Sequence, residues 1–317
     1  MLRVVTLGLI LAALVGIVFA VGIALAAPRA ESMALHIELI EPHEQAASRA
    51  EQVAKALVLA YPQRVLMAEF RQPGGDRPAD WAVLLRDTWF YYAEGRMLPE
   101  EYLDRAHEYS PIAFYNYPAE MPPWTAPTAE QGRQLSERSS ERATSQPPRA
   151  PFFFETLYRS RNRDEAYQRV KTIRFLGHQI MVHSSILEVL SLVEEQIQAA
   201  ARTDAQVRSW VNNINNMSGW TWRTMVGSQS RSFHAYGVAI DILPRSPGGR
   251  EIFWQWAGPT WWSVPYEGRY HPPEAVIRAF ESYGFVWGGK WLFFDTMHFE
   301  YRPEVFFMNG MGLSGLR

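Results

Sequence analysis

Two stretches hold the residues whose types and spacing can do chemistry. One runs Ser232-Phe-His234-Ala-Tyr-Gly237-Val-Ala239-Ile-Asp241; the other runs Gly284-Phe-Val-Trp287-Gly288-Gly289-Lys-Trp291-Leu-Phe-Phe-Asp295-Thr-Met-His298-Phe-Glu300. A catalytic zinc takes three protein ligands and keeps a fourth position for water, and imidazole nitrogen and carboxylate oxygen both suit it. The chain has no cysteine, so thiolate ligation is excluded. His234, Asp241 and His298 are the candidate ligands of one Zn2+ per chain. Asp295, three residues before His298, is near enough to serve as general base toward a water whose pKa such an ion lowers to about 7. The expected chemistry is metal-assisted hydrolysis. The other histidines (His36, His43, His107, His178, His183 and His271) are read as ordinary core or surface residues.

The elements that must position these groups can be read around them. His234 and Asp241 are seven residues apart, which on one strand would put them on opposite faces. The chain is therefore expected to turn at Gly237 and enter a short buried strand. There Val238, Ile240 and Ile242 alternate with Ala239, Asp241 and Leu243, and the small Ala239 leaves room beside Asp241. Upstream, Asn212 to Ser218 reads as a polar loop. Trp220 to Arg223 reads as a strand, and Met225 to Arg231 as a loop over the cleft. The Pro-, Gly- and Trp-rich stretch from Pro244 to Pro273 is expected to form a cleft wall. Pro273-Glu274 starts a helix that Gly284 ends. Phe285 to Trp287 then reads as a strand, Gly288-Gly289 as a turn, and Trp291 to Phe294 as a returning strand carrying Asp295. Glu300 is expected to orient a ligand.

The pattern S-x-H-x-x-G-x-A-x-D, followed by G-F-x-W-G-G-x-W and D-x-x-H-F-E, resembles the VanY-like zinc D-alanyl-D-alanine carboxypeptidases and L-alanyl-D-glutamate endopeptidases, over residues 170 to 305. The resemblance implies zinc on His234, Asp241 and His298, Asp295 as general base, and peptidoglycan stem peptides as substrate. Aspartate at the base position is commoner in the endopeptidase branch, and glutamate in many carboxypeptidases. The family also uses an upstream arginine to bind substrate and stabilise the transition state. Arg223, in Gly219-Trp-Thr-Trp222-Arg223, takes that place, although its spacing from the glycine and aromatic departs from the usual one. Ser232 and Trp287, inside the motifs, are the expected substrate-binding residues. A protein that keeps the fold and binds cell wall without cutting it is the alternative.

Composition narrows the remaining classes. A net charge of −2 gives no bias toward polyanions, so nucleic acid is not an expected partner. The absence of cysteine excludes disulfides and an N-terminal lipidated cysteine. A serine D,D-peptidase would need S-x-x-K and K-T-G motifs, and neither occurs.

Met1-Leu-Arg3 precedes an uncharged apolar run from Val4 to Ala27, with Ala24-Leu-Ala26 as a cleavage site. It reads as a secretory signal or as an anchor long enough to span a bilayer, the latter offering membrane attachment. Either places the remainder outside the cytoplasm. The expected fold is α+β: a small antiparallel sheet flanked by helices carries the zinc site, preceded by a smaller α+β region. The boundaries are 1–27 for the signal or anchor and 28–118 for an N-terminal region without assigned chemistry. A Pro/Ser/Glu/Arg-rich linker follows at 119–150, which can include a solvated helix over Glu130 to Glu141, and then the peptidase domain at 151–317.

Overall fold

The computed structural model describes residues 43–112 and 114–316; the apolar run from Val4 to Ala27 lies outside the described residues. Among the described residues no helix is long and apolar enough to cross a membrane.

The chain is α+β, with small antiparallel sheets and helices. Helix α1 (His43–Ala60) is followed by an antiparallel meander of β1 (Val65–Arg71), β2 (Asp80–Leu85), β3 (Thr88–Tyr91) and β4 (Leu98–Pro99). Val53, Ala54 and Leu57 recur at helical spacing and are buried, so this stripe of α1 is its core face. Glu94 and Arg96 form a surface ion pair at 2.7 Å.

Residues 119–150 contain α2 (Ala129–Thr144). Thr128 and Gln131 close a reciprocal capping box at its start, which satisfies two of the otherwise orphaned amide groups there. The helix is polar and mostly exposed, but Leu135 is buried and Trp262 Nε1 donates to Ser136 Oγ at 3.2 Å.

Beyond it come α3 (Phe152–Tyr158), α4 (Arg163–Arg169), the hairpin β5 (Val170–Phe175) and β6 (His178–His183), then α5 (Leu187–Thr203) and α6 (Ala205–Asn212). Strands β7 (Ile214–Ser218) and β8 (Ala239–Pro244), helix α7 (Glu274–Ser282), strands β9 (Phe285–Trp287) and β10 (His298–Tyr301), and helix α8 (Pro303–Met308) complete the fold. The second sheet is antiparallel in the order β7-β8-β10-β9. Helix α7 covers it, with Phe280 stacked on Phe299 at 4.0 Å between ring centres.

One buried cluster joins Val53, Leu57 and Val65 of the N-terminal part with Phe154, Phe233, Ile240 and Phe299. The two sheets therefore share a core, and α1 lies along α8.

Three local readings change. The strand before the first motif is Ile214–Ser218 rather than Trp220 to Arg223, which runs without regular structure. Asn215 and Asn216 hide it in the sequence. Ile214 and Met217 are nonetheless buried, and pairing with β8 outweighs the weak strand preference of asparagine. Trp291 to Phe294 forms no returning strand. Gly288 to Lys290 makes a 3-10 turn, the chain bends, and Asp295 makes a single antiparallel bridge with Phe253. The segment from Pro244 thus packs directly beside Asp295.

Candidate metal centre

Register builds the centre. In the β8–β10 pair His298 stands directly opposite Asp241, Phe299 opposite Ile240, and Glu300 opposite Ala239. Opposed residues share a sheet face, so Asp241, His298 and Glu300 project together while Ile240 and Phe299 fill the core. Ser218 of β7 faces Asp241 from the other side and donates to its Oδ2 at 3.4 Å. Ala239 is fully buried opposite Glu300, where its short side chain leaves the acid room.

His234 reaches the same place from the 3-10 turn Phe233–Tyr236. Ser232 caps that turn by accepting from His234 N at 3.3 Å. Gly237 ends it with φ 74, a left-handed backbone that glycine adopts freely. A Cβ there would also meet His183 N at 2.9 Å. The turn at Gly237 expected from the sequence is therefore present, and it carries His234 onto the face of Asp241.

Three donor atoms converge. His234 Nε2 lies 3.1 Å from Asp241 Oδ1, His298 Nδ1 lies 2.8 Å from the same oxygen, and the two nitrogens are 3.2 Å apart. Ligand atoms around a tetrahedral ion with arms of about 2.0–2.1 Å stand about 3.3 Å from one another, so the triangle matches a divalent cation. The opposite nitrogens are committed elsewhere. His234 Nδ1 donates to Gly219 O at 2.6 Å, and His298 Nε2 donates to Glu300 Oε2 at 3.1 Å. Each acceptor takes the N–H of the outer nitrogen, so the inner nitrogen of each neutral ring is the one that can offer a lone pair to the shared centre. The cluster can hold a metal ion.

Electrostatics agree. Burial opposes charge on Asp241, but the imidazoles of His234 and His298 outweigh it and hold the carboxyl well below its usual range. Burial also opposes a charged His298, yet its hydrogen bonds to Asp241 and Glu300 hold its pKa well above the usual value. Carboxylates thus surround a position that favours a cation. A proton on His298 Nδ1 and a metal ion compete for one lone pair, so ion binding releases that proton.

Asp295 stands beside this cluster. Burial pushes its carboxyl up to about 7; the charges of His298 and Arg223 oppose that rise, and those of Asp241 and Glu300 add to it. Its Oδ1 is buried without a hydrogen-bond partner. An acceptor kept dry and unpaired is available to a substrate or a water. Arg223 is exposed, close enough for its charge to act on Asp295, and its carbonyl accepts from Ser232 N at 3.2 Å.

Two expected substrate-binding residues are placed otherwise. Trp287 is opposite Phe299 in the β9–β10 pair, on the face away from the ligands. It is fully buried, and its Nε1 donates to Thr296 O at 2.9 Å. It is core, and the period-two alternation of β10 is the reason. Ser232 is buried too, with its hydroxyl engaged in the turn that holds His234.

The sequence reading missed Gly219, whose carbonyl orients His234. A Cβ at this position would meet Met181 O at 2.2 Å, so only glycine lets the chain pass β6 this closely. It also missed Trp291, whose ring lies 5.4 Å from that of His298. Arg302, hydrogen-bonded to Glu300 at 3.4 Å, escaped notice as well.

Comparison with known proteins bears on the same residues. Residues 53–114 match a family model described as a domain of unknown function, DUF8518. No solved structure matches the chain. Residues 226–301 match a family model described as D-alanyl-D-alanine carboxypeptidase. That segment contains His234, Asp241, Asp295 and His298, and over it the chain is similar to the VanY-like family that the motifs resemble.

Proposed function

We propose that the protein is a zinc-dependent peptidase that cuts the peptide stems of peptidoglycan outside the cytoplasm. The observation that carries this reading is the convergence of His234 Nε2, Asp241 Oδ1 and His298 Nδ1 inside a segment that matches the carboxypeptidase family. Zinc in that triangle supplies Lewis acidity, which acidifies water and polarises an amide carbonyl.

The chain's own groups do the rest. Asp295, with an unpaired buried oxygen and a pKa near neutrality, takes the proton from the attacking water and returns it to the departing amine. Arg223 offers its exposed guanidinium to the charge that develops on the carbonyl oxygen. Gly219 and Glu300 keep His234 and His298 in one tautomer and orientation. The apolar run from Val4 to Ala27 supports delivery to the compartment where cell wall lies, as a cleaved signal or as an anchor.

The test is a digest of purified peptidoglycan by the full chain, followed by mass spectrometry of the fragments, with chelator and the variants His234→Ala and Asp295→Ala as controls. Loss of terminal D-Ala identifies a carboxypeptidase, and new D-Glu amino termini identify an endopeptidase. Either product should vanish in every control. Intact peptidoglycan after incubation with the zinc-loaded chain would instead favour a wall-binding protein that retains the fold.

A further inference from the structure

We infer that Tyr61, Arg302 and Glu304 are positioning residues for the metal centre: a buried polar chain runs from the N-terminal part of the fold to the outer nitrogen of His298. The inference rests on the metal reading above and gives the region matching DUF8518 a role in it.

The links are continuous. Glu300 divides its two oxygens: Oε2 accepts from His298 Nε2 at 3.1 Å, and Oε1 accepts from Arg302 Nη1 at 3.4 Å. Arg302 Nε donates to Glu304 Oε1. Glu304 Oε2 accepts from the Tyr61 hydroxyl at 2.7 Å. Arg302 and Glu304 are each about 1% exposed, Tyr61 5% and Glu300 7%, so every link is shielded from water, which would otherwise replace it.

Placement explains why the chain ends where it does. Glu300 lies on β10, Arg302 at the junction, and Glu304 in the first turn of α8, so the three acid and base groups follow directly from a metal ligand. Tyr61 is the residue after α1, which lies along α8. The guanidinium of Arg302 is held among aromatic rings, 4.7 Å from Phe233, 5.3 Å from Phe154 and 5.9 Å from Phe114. Phe114 ends the DUF8518 match. A second contact reaches the same histidine, because Tyr115 Oη accepts from Trp291 Nε1 at 2.8 Å and the Trp291 ring packs against His298.

Glu300 can rotate about its terminal bond, and the Arg302 contact on Oε1 helps to hold Oε2 toward His298. Arg302 in turn is shared between two acids, and the Tyr61 hydroxyl fixes the second. Removing that hydroxyl loosens Glu304, lets Arg302 shift, and frees Glu300. The cost should appear in metal affinity, because the carboxylate on the outer nitrogen orients the ligand and raises its basicity.

The test uses the full chain, stripped with chelator, and measures zinc affinity by competition with a chromogenic chelator alongside thermal unfolding. Tyr61→Phe keeps the ring and removes one hydroxyl; Glu304→Gln keeps the shape and removes the charge. Loss of outer partners typically weakens metal binding about 10–100-fold, so Glu304→Gln should fall in that range and Tyr61→Phe at or just below its lower end. Val193→Ala, a core variant in α5 away from the chain, controls for lost stability alone. It should lower the melting temperature with zinc affinity unchanged. If Tyr61→Phe behaves like Val193→Ala, with lower stability and wild-type zinc affinity, the inference is overturned while the metal reading stands. A wild-type chain that binds no zinc would overturn both.

Discussion

His298 and Asp241 stand directly across the β8–β10 pair, with Nδ1 and Oδ1 2.8 Å apart. The antiparallel register brings together two groups separated by 57 residues of sequence. A slip of one residue would turn either side chain to the core face and dissolve the centre.

Removal of a ligand should abolish metal binding. His234→Ala and His298→Ala each leave two donors of the triangle, and zinc per chain measured by atomic emission after dialysis should fall from one to near zero. Retention of one tightly held zinc by either variant would contradict the ligand assignment.

Asp295→Asn separates catalysis from metal binding. The amide is isosteric and cannot accept the proton. Hydrolysis should drop about 10²–10⁴-fold, the usual contribution of a general base, while chelator competition returns a zinc affinity close to wild type. Equal turnover by variant and wild type would remove Asp295 from the chemistry.

Gly219→Ala tests the carbonyl that orients His234. The added methyl meets Met181 O at 2.2 Å, and overpacking of this kind costs about 1–3 kcal/mol. We expect a lower melting temperature together with weaker zinc binding, since the carbonyl 2.6 Å from His234 Nδ1 must move. Lower stability with unaltered zinc affinity would show that His234 holds its tautomer without it.

Trp287→Phe distinguishes core from cleft. Loss of the indole bond to Thr296 O should cost about 1–3 kcal/mol of stability by leaving a buried acceptor unpaired. KM should not change, because the side chain faces away from the ligands. A raised KM with unaltered stability would restore Trp287 to the substrate site.

Acid should destabilise the fold partly through His183. Its Nε2 donates to Tyr158 O at 2.9 Å and its Nδ1 accepts from Ser185 N at 3.1 Å, so it is buried neutral. Burial lowers its pKa from 6.5 to about 4, and the charges of Arg64 and Arg169 act in the same direction, against the Tyr158 bond. The unfolded chain takes up a proton below pH 6.5 and the folded chain does not until near 4. The stabilisation is therefore complete above pH 6.5 and is lost as pH falls toward 4, about 2 kcal/mol between pH 7 and pH 5. Urea unfolding at those two pH values should show a smaller acid loss in His183→Gln than in wild type.

Much of the centre is legible in the residues themselves. The alternation of Val238, Ile240 and Ile242 with Asp241 announces a strand with one polar face, and Gly237 announces the turn before it, because period-two burial and positive φ are local properties. The strand at Ile214–Ser218 and the bend at Trp291 to Phe294 are not legible, since each depends on a partner chain segment rather than on its own composition. Trp287 misleads for the same reason. A tryptophan inside a motif looks like a binding residue until β-sheet register assigns it to the core.

The sequence by itself singled out the groups that the fold brings together into a cluster able to hold a metal ion, His234, Asp241 and His298, and the carboxylate beside them, Asp295, because residue type and short spacing carry that chemistry. Tertiary structure alone decided that the Gly219 carbonyl holds the His234 ring, that Trp287 lies on the far face, and that Tyr61 donates to Glu304, 243 residues along the chain. Such contacts arise when separate elements pack into one core, and no local pattern records which distant backbone or side chain will fill the space beside a ligand.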